Sequence, residues 1–159
     1  MKKLELEYRM YGLVNYQLAG TIHAGIQYGH AVVEYAQRHF KDKEYQEWSK
    51  KHKTFIILNG GNTRTHGGST DSTLIGTMQQ HEILLMTNKI KYARFCEPDL
   101  NDALTAIVFL VDERVFNKEK YPFDANQDMD DSSNKEWIKS LGGKQNIFLR
   151  EFLSNFKLL

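Results

Sequence analysis

Tyr11-Gly12-Leu13-Val14-Asn15-Tyr16, followed after a short gap by Thr21-Ile22-His23-Ala24-Gly25-Ile26-Gln27-Tyr28-Gly29-His30, is the stretch on which the fold turns. The first run is short and apolar, as a buried strand is, and Leu18-Ala19-Gly20 ends it with a glycine turn signal. Thr21 stands where a helix cap is needed. Over residues 22–39 the pattern becomes helical. Ile22, Ile26, Gly29, Val33 and Ala36 recur every three or four residues and define the expected core face, with Ala24, Tyr28, Ala31 and Tyr35 roughly opposite.

Working outward, residues 43–51 read as a short helix carrying Tyr45 and Trp48, and Phe55-Ile56-Ile57-Leu58 as a second buried strand. A glycine-rich loop runs from Asn59 to Gly68. Asp71 or Ser72 is placed to cap a third helix reaching about Asn88, with Leu74, Met78, His81 or Glu82 and Leu85 marking its period. Tyr92-Ala93-Arg94-Phe95-Cys96 alternates like a strand. Only residues 97–103 separate it from the apolar run 104–111, so these two strands are expected to be antiparallel neighbours. This order of elements predicts one domain over residues 1–159: a small three-layer α/β/α fold around a four-stranded mixed sheet, mostly parallel with one antiparallel strand. Residues 112–140 are rich in Asp, Asn and Ser and read as an inserted surface loop. Residues 146–159 read as a final helix on the sheet.

The chain has 159 residues, of which 41% are hydrophobic and 26% charged, with two prolines. At that length roughly 70% of the unfolded surface can be buried, enough for a core without a disulfide or metal staple. The composition excludes disordered, collagen-like and low-complexity chains. The longest apolar run, residues 103–111, falls far short of the roughly 20 that a membrane helix needs. Met1-Lys2-Lys3-Leu4-Glu5 has no signal-peptide core behind it, so a cytoplasmic location without a membrane partner is expected. The single cysteine, Cys96, suits a reducing compartment. A net charge of +1 gives no global basic field, so nucleic-acid contacts must come from a local patch.

Only one line of the first helix is polar throughout: His23, Gln27, His30 and Glu34. On an otherwise apolar helix such a stripe is either a solvated edge or a site facing a cleft at the strand ends, where an imidazole can act as a base near neutral pH. Gly25-Ile26-Gln27-Tyr28-Gly29-His30-Ala31, directly after a strand and loop, resembles the A-x-Q-x-x-H-A signature opening the first helix of the peptidyl-tRNA hydrolase 2 family. Trp48 stands before the second strand, as a tryptophan often does there. The run from Asp71 to Leu74 is similar to the family's D-x-x-T-L helix start. Phe95-Cys96-Glu97-Pro98-Asp99, leading to Thr105-Ala106-Ile107, resembles its D-A-G-x-T segment and T-x-x-x-I final strand. Phe156-Lys157-Leu158-Leu159 is similar to its H-L-K-L-Y-type terminus. The likeness spans nearly the whole chain outside residues 112–140.

The resemblance implies an esterase that cleaves the bond between a peptidyl group and the 3′ ribose of tRNA, with no metal or organic cofactor. By position, Gln27 and His30 match the family's helix glutamine and histidine, Thr105 its final-strand threonine, and Glu97 or Asp99 is the nearest carboxylate to its catalytic aspartate. His23 stands where the family has a lysine, and the loop after Glu97 lacks the family's glycine. In the implied reaction His30 or the Glu97/Asp99 carboxylate is the general base, Gln27 and His23 polarise or orient, and Thr105 completes the hydrogen bonding. The resemblance also implies homodimers. The face bearing Tyr28 and Tyr35 either serves that contact or is covered by a helix. Divergent short relatives look like phage-encoded ones, which implies a bacterial cytoplasm.

For tRNA the candidate phosphate contacts are Lys50, Lys51, Lys53, Arg64, Lys89, Lys91 and Arg94, with His66 beside them. The rival reading is a catalytically inactive module that keeps the fold to bind tRNA or a protein. Other chemistries fall away. The loop from Gly60 to Gly68 lacks the Gly-Lys-Ser/Thr ending of a phosphate loop. Asp124, Asn126, Asp128 and Asp130 mimic a calcium loop, but Met129 and Lys135 stand where its glycine and bidentate glutamate belong. No G-x-S-x-G elbow or H-E-x-x-H pair is present, and Cys96 on a strand reads as a small hydrophobe.

Overall fold

In the computed structural model, which describes residues 5–18, 21–64, 75–123 and 134–159 apart from the side chains of Leu18 and Thr21, four strands form one sheet. These are β1 (Tyr8–Asn15), β2 (Thr54–Gly61), β3 (Tyr92–Glu97) and β4 (Ala103–Asp112), in the order β2-β1-β4-β3. β1 and β2 are parallel, and β4 is antiparallel to both β1 and β3. Three strands therefore run one way and β4 the other, as the short β3–β4 connection predicts. The helices are α1 (Thr21–His39), α2 (Lys43–Glu47), α3 (Thr77–Thr87), α4 (Glu113–Phe116), α5 (Lys135–Ser140) and α6 (Lys144–Ser154). A π-turn, Trp48–His52, leads from α2 into β2.

Alternation along β1 divides the layers. Met10 and Val14 join a cluster with Ala24, Tyr28, Ala31 and Tyr35 of α1 and with Trp48. Tyr11 and Leu13 join a second one with Met78 and Leu85 of α3, Val115 of α4 and Leu149 and Phe152 of α6. The sheet is thus sandwiched between helices. Among the described residues no helix is long and apolar enough to cross a membrane.

The face of α1 that meets the sheet is not the one the sequence predicts. Ala24, Tyr28, Ala31 and Tyr35 are buried, whereas Ile22, Ile26 and Val33 are 75%, 48% and 56% exposed. The reason is steric. Ala24 and Ala31 let the helix lie close on the strands, and the Tyr28 ring lies over Gly12, where an added Cβ would come within 2.2 Å of it. The Tyr28 hydroxyl donates to the Met10 carbonyl at 2.7 Å. Apolar periodicity alone ranks the branched residues above the alanines and tyrosines and so picks the wrong side. The Tyr28 and Tyr35 face is covered by the sheet, neither by a helix nor by a second copy.

Other boundaries move for identifiable reasons. α3 begins at Thr77 with Gly76 as its N-cap, after the expected start at Asp71 or Ser72. Thr77 Oγ1 donates to the Gly60 carbonyl at 3.0 Å and accepts from the Asn62 N–H at 2.8 Å, tying the helix start to the end of β2. The final helix stops at Ser154, and Leu158 instead bridges Leu58 antiparallel. The Asn59 N–H donates to the Lys157 carbonyl and the Leu159 N–H to that of Ile57, both at 3.0 Å, so the chain end covers part of the β2 edge. The segment 112–140, expected as a loop, is folded at both described ends. α4 places Val115 in the core, and the buried Arg150 guanidinium donates to the carbonyls of Arg114 and Tyr121. The side chain of Thr21, the caps at Asp71 and Ser72, His66 with the glycine loop's end, and the calcium-like series from Asp124 to Asp130 lie outside the described residues.

Burial at the α3–α6 contact carries a pH dependence. The His81 ring sits edge-on to Phe152 and Phe156, with centroids 5.8 and 4.7 Å away, and its Nδ1 is buried without a partner among the described residues. Desolvation pushes its pKa below the ordinary 6.5, partly offset by a backbone hydrogen bond at Gly60. In the unfolded chain the imidazole protonates first, so its contribution is fully present above about pH 6.5 and is lost as pH falls toward the lower folded value. Thermal unfolding at pH 7.5 and pH 5 is expected to show a larger drop for the wild type than for His81→Leu. Equal drops would contradict this.

Candidate active site

The carboxyl ends of β1 and β3, the start of β4 and the N-terminal half of α1 converge at one end of the sheet. In α/β folds this is the end at which ligands bind. Both breaks in strand register lie here. The pairing of β3 with β4 passes from Phe95↔Ala106 to Cys96↔Leu104, so Thr105 is the extra residue of a bulge. The bulge breaks the strict alternation and turns Thr105 toward α1, on the same face as Ala106. The other break leaves Gly60 extra where Val14↔Asn59 gives way to Asn15↔Gly61.

The bulge brings Thr105 to Gln27. The Thr105 hydroxyl donates to Gln27 Oε1 at 2.5 Å, with the Phe95 carbonyl a more distant acceptor at 3.3 Å. Gln27 Nε2 donates to Glu97 Oε2 at 2.7 Å. Gln27 and Thr105 are buried and Glu97 is half-buried. The direction of this chain is fixed by chemistry. An ionised carboxylate only accepts, so the amide must present its nitrogen to Glu97 and its oxygen to Thr105. A buried side-chain network of this kind, with both ends of the amide satisfied, holds one rotamer. Glu97 keeps its second oxygen without a partner among the described residues, at the open end of the chain.

The remaining candidates divide. His30, one turn after Gln27, is exposed and stacks on Phe95, with centroids 4.5 Å apart and planes 22° from parallel. His23, one turn before, is exposed. Asp99 lies exposed in the turn Pro98–Leu100, outside the Gln27 chain. Asn101 and Asp102 follow with φ of 54° and 56°, closing the β3–β4 turn in the left-handed region without a glycine. Asn and Asp tolerate that conformation better than other residues, which is how this loop dispenses with the glycine of the resemblance. Asp99, Asp102 and Glu97 make this end acidic.

The cations gather elsewhere. Lys50, Lys51 and Lys53 precede β2, and Lys89 and Lys91 precede β3, so all five lie at the opposite end of the sheet from Gln27. Lys51 pairs with Glu47 at 2.9 Å and with Glu5, and Lys91 with Asp42 at 2.8 Å. Hydrogen bonding from Lys91 above all, joined by His39, holds the Asp42 carboxyl below its usual range, against an opposing desolvation that outweighs the His39 bond. Arg94 points to the α3 face and pairs with Glu82 at 3.1 Å. Arg64 is the one cation of the set near the site end, just after β2. Among the described residues no group of His, Cys, Asp and Glu has the spacing to hold a metal ion. Burial raises the Cys96 thiol, and Arg94 only partly offsets this, which disfavours the thiolate a nucleophile needs.

Sequence reasoning overlooked two contributors. Phe95 as the platform for His30 was accessible, since it alternates with the buried Ala93. The bulge that re-aims Thr105 has no signal in a run as uniform as Ala103-Leu104-Thr105-Ala106-Ile107. Neither a family model nor a curated protein matches the chain.

Proposed function

We propose that the protein is an esterase of the peptidyl-tRNA hydrolase 2 type, cleaving the ester between a peptidyl group and the tRNA 3′ ribose. The observation that carries this reading is the Thr105–Gln27–Glu97 chain. Gln27 of α1 is joined to Glu97 of β3 and Thr105 of β4, 70 and 78 residues further along the chain, at the carboxyl end of β1 and β3, and these are positions at which the family resemblance expects function. A water held at the free Glu97 oxygen or at His30 gives up a proton as its oxygen attacks the ester carbonyl. The tetrahedral adduct collapses, and the proton returns to the departing 3′ oxygen. Gln27, held by Thr105, keeps its remaining N–H for the substrate or the water. His23 supplies a positive charge only when protonated. A tRNA-linked substrate and the single cysteine, Cys96, both fit a cytoplasmic location.

The test is release of N-acetylaminoacyl product from N-acetylaminoacyl-tRNA with EDTA present. Turnover by the wild type, cut by about two orders of magnitude or more in both His30→Ala and Glu97→Gln, is expected if these groups move the proton. Unchanged hydrolysis in both would sink the assignment. The second reading, an inactive tRNA-binding module, is favoured by one observation: Lys50, Lys53, Lys89 and Lys91 lie at the end of the sheet away from Gln27. It predicts an inert wild type whose tRNA binding falls steeply with salt and weakens in Lys50→Ala/Lys53→Ala.

A further inference from the structure

A cavity of about 200 Å³ lies at the end of the sheet away from Gln27, where β3 has yet to begin and the first turn of α6 stands beside it. Its wall is apolar at Ile90, Leu110 and Leu149, and Tyr35 adds to it. Tyr35 is 3% exposed, and burial above all raises its pKa, so it stays a neutral phenol. Four charged residues complete the lining: Asp42, Glu44, Lys89 and Lys91. Lys91 and Asp42 neutralise each other at 2.8 Å. The Glu44 carboxylate and the Lys89 ammonium have no ion pair among the described residues, so the cavity keeps one uncommitted charge of each sign.

The polar group that decides the ligand is Asn146, which lines the cavity from the first turn of α6 and is only 8% exposed. Its Nδ2 donates to Asp112 Oδ2 at 3.0 Å and to the Leu141 carbonyl at 2.7 Å. Both partners are acceptors, so the amide is fixed with its nitrogen toward them and its Oδ1 turned the other way, accepting from nothing among the described residues. Few buried amide oxygens go without a donor. Gly143 caps α6 without a side chain, and the N–H groups of the first turn have no intrahelical acceptor. One turn thus presents a fixed acceptor beside free donors, at the positive end of an 11-residue helix. Gln145 Nε2 donates to the Lys89 carbonyl at 2.7 Å and holds that residue against the same turn.

We propose that this cavity binds a free α-amino acid with an aliphatic side chain. The ligand's ammonium goes to Asn146 Oδ1 and Glu44, its carboxylate to Lys89 and the first-turn N–H groups of α6, and its side chain to Ile90, Leu110 and Leu149. Acceptor and donors belong to one helical turn, so the ligand's two charges must sit close together, as they do on an α-carbon. The lining carries two charges of each sign, which a zwitterion matches and a phosphorylated ligand does not. The volume is also below the roughly 300–1,000 Å³ of sites for larger ligands, and so too small for a nucleotide. The site shares no residue with the Thr105–Gln27–Glu97 chain.

The test is titration with L-leucine, followed by backbone amide NMR shifts. The amides of Ile90, Gln145 and Asn146 are expected to shift saturably, with half-saturation at about 1 mM or below. N-acetyl-L-leucine lacks the ammonium, L-leucinamide the carboxylate and glycine the side chain, and each should bind at least about tenfold more weakly. Glu44 and Lys89 are exposed, so their charges can be removed without disturbing the core. Glu44→Gln should shrink the preference over N-acetyl-L-leucine at least about threefold and leave that over L-leucinamide. Lys89→Asn, which also suits the φ of 57° at that position, should do the reverse, with circular dichroism unchanged in both variants. No saturable shift up to the solubility limit of leucine, equal binding of leucine and its two blocked forms, or shifts confined to amides outside this cavity would each overturn the proposal. So would preferences that neither variant alters.

Discussion

Gln27→Ala is expected to lower turnover of N-acetylaminoacyl-tRNA by about 10²–10³-fold, the effect typical of removing one preorganised donor from a site that stabilises a developing charge. The expectation rests on how completely Gln27 is held. Its oxygen takes the Thr105 hydroxyl at 2.5 Å and its nitrogen meets Glu97 at 2.7 Å, so neither end is free to reorganise when the reaction begins. Alanine removes both contacts at once. Thr105 is left with only the distant Phe95 carbonyl, and Glu97 loses the bond that positions one of its oxygens. Gln27→Glu is the sharper variant, because shape is kept while the polarity reverses: a second carboxylate faces Glu97 and repels it. Thr105→Val should share much of the loss and Thr105→Ser little of it, since only the serine keeps a hydroxyl to donate. Steady-state hydrolysis measured with circular dichroism on each variant is the check. A folded Gln27→Ala enzyme of wild-type turnover would remove Gln27 from the mechanism.

How far this site can be read from the chain depends on which physical signal each residue leaves. Gln27 and His30 stand out because polar groups in register on an apolar helix are costly unless something uses them. Glu97 and Thr105 are reached only through the resemblance, and their contact with Gln27 depends on the bulge at Thr105, which no local composition marks. The strands were legible as short apolar runs between turn residues, and the β3–β4 direction followed from a connection too short for a crossover. The orientation of α1 was not legible. Two apolar faces compete on that helix, and the decision lies with a residue that has no side chain, Gly12, whose vacancy admits Tyr28 from a different element. Periodicity identified Ile22, Ile26 and Val33 as a stripe suited to burial but could not say that the sheet lay on the other side. The end of the sheet at which the lysines sit was not legible either. Sequence proximity to a strand says nothing about which end of the sheet the residue occupies until the direction of every strand is known.

Gly12→Val is expected to be the most destabilising single substitution at the α1–sheet contact. Even the first added carbon would lie 2.2 and 2.3 Å from two ring atoms of Tyr28 and 3.2 Å from Val108 Cγ1, where carbon contacts prefer about 3.5–4.0 Å. The ring cannot swing aside cheaply, because its buried hydroxyl is anchored at 2.7 Å on the Met10 carbonyl. Overpacking costs about 1–3 kcal/mol, and a buried hydroxyl torn from its acceptor about 1–3 more, so roughly 2–6 kcal/mol is at stake. That is a large part of the 5–15 kcal/mol typical of a folded domain, and at about 2–4 °C per kcal/mol it should lower the melting temperature by some 5–20 °C. Tyr28→Leu added to Gly12→Val vacates the space, and the double variant should be more stable than the two single losses summed. Additive losses would mean that the ring and the glycine do not share one space. Tyr28 follows Gln27 on the helix, so the milder Gly12→Ala pushes α1 away from β1 and stretches the Gln27–Thr105 contact. It should lower turnover more than its stability loss explains, because the distance between helix and sheet that Gly12 sets is also the distance across which the site is assembled.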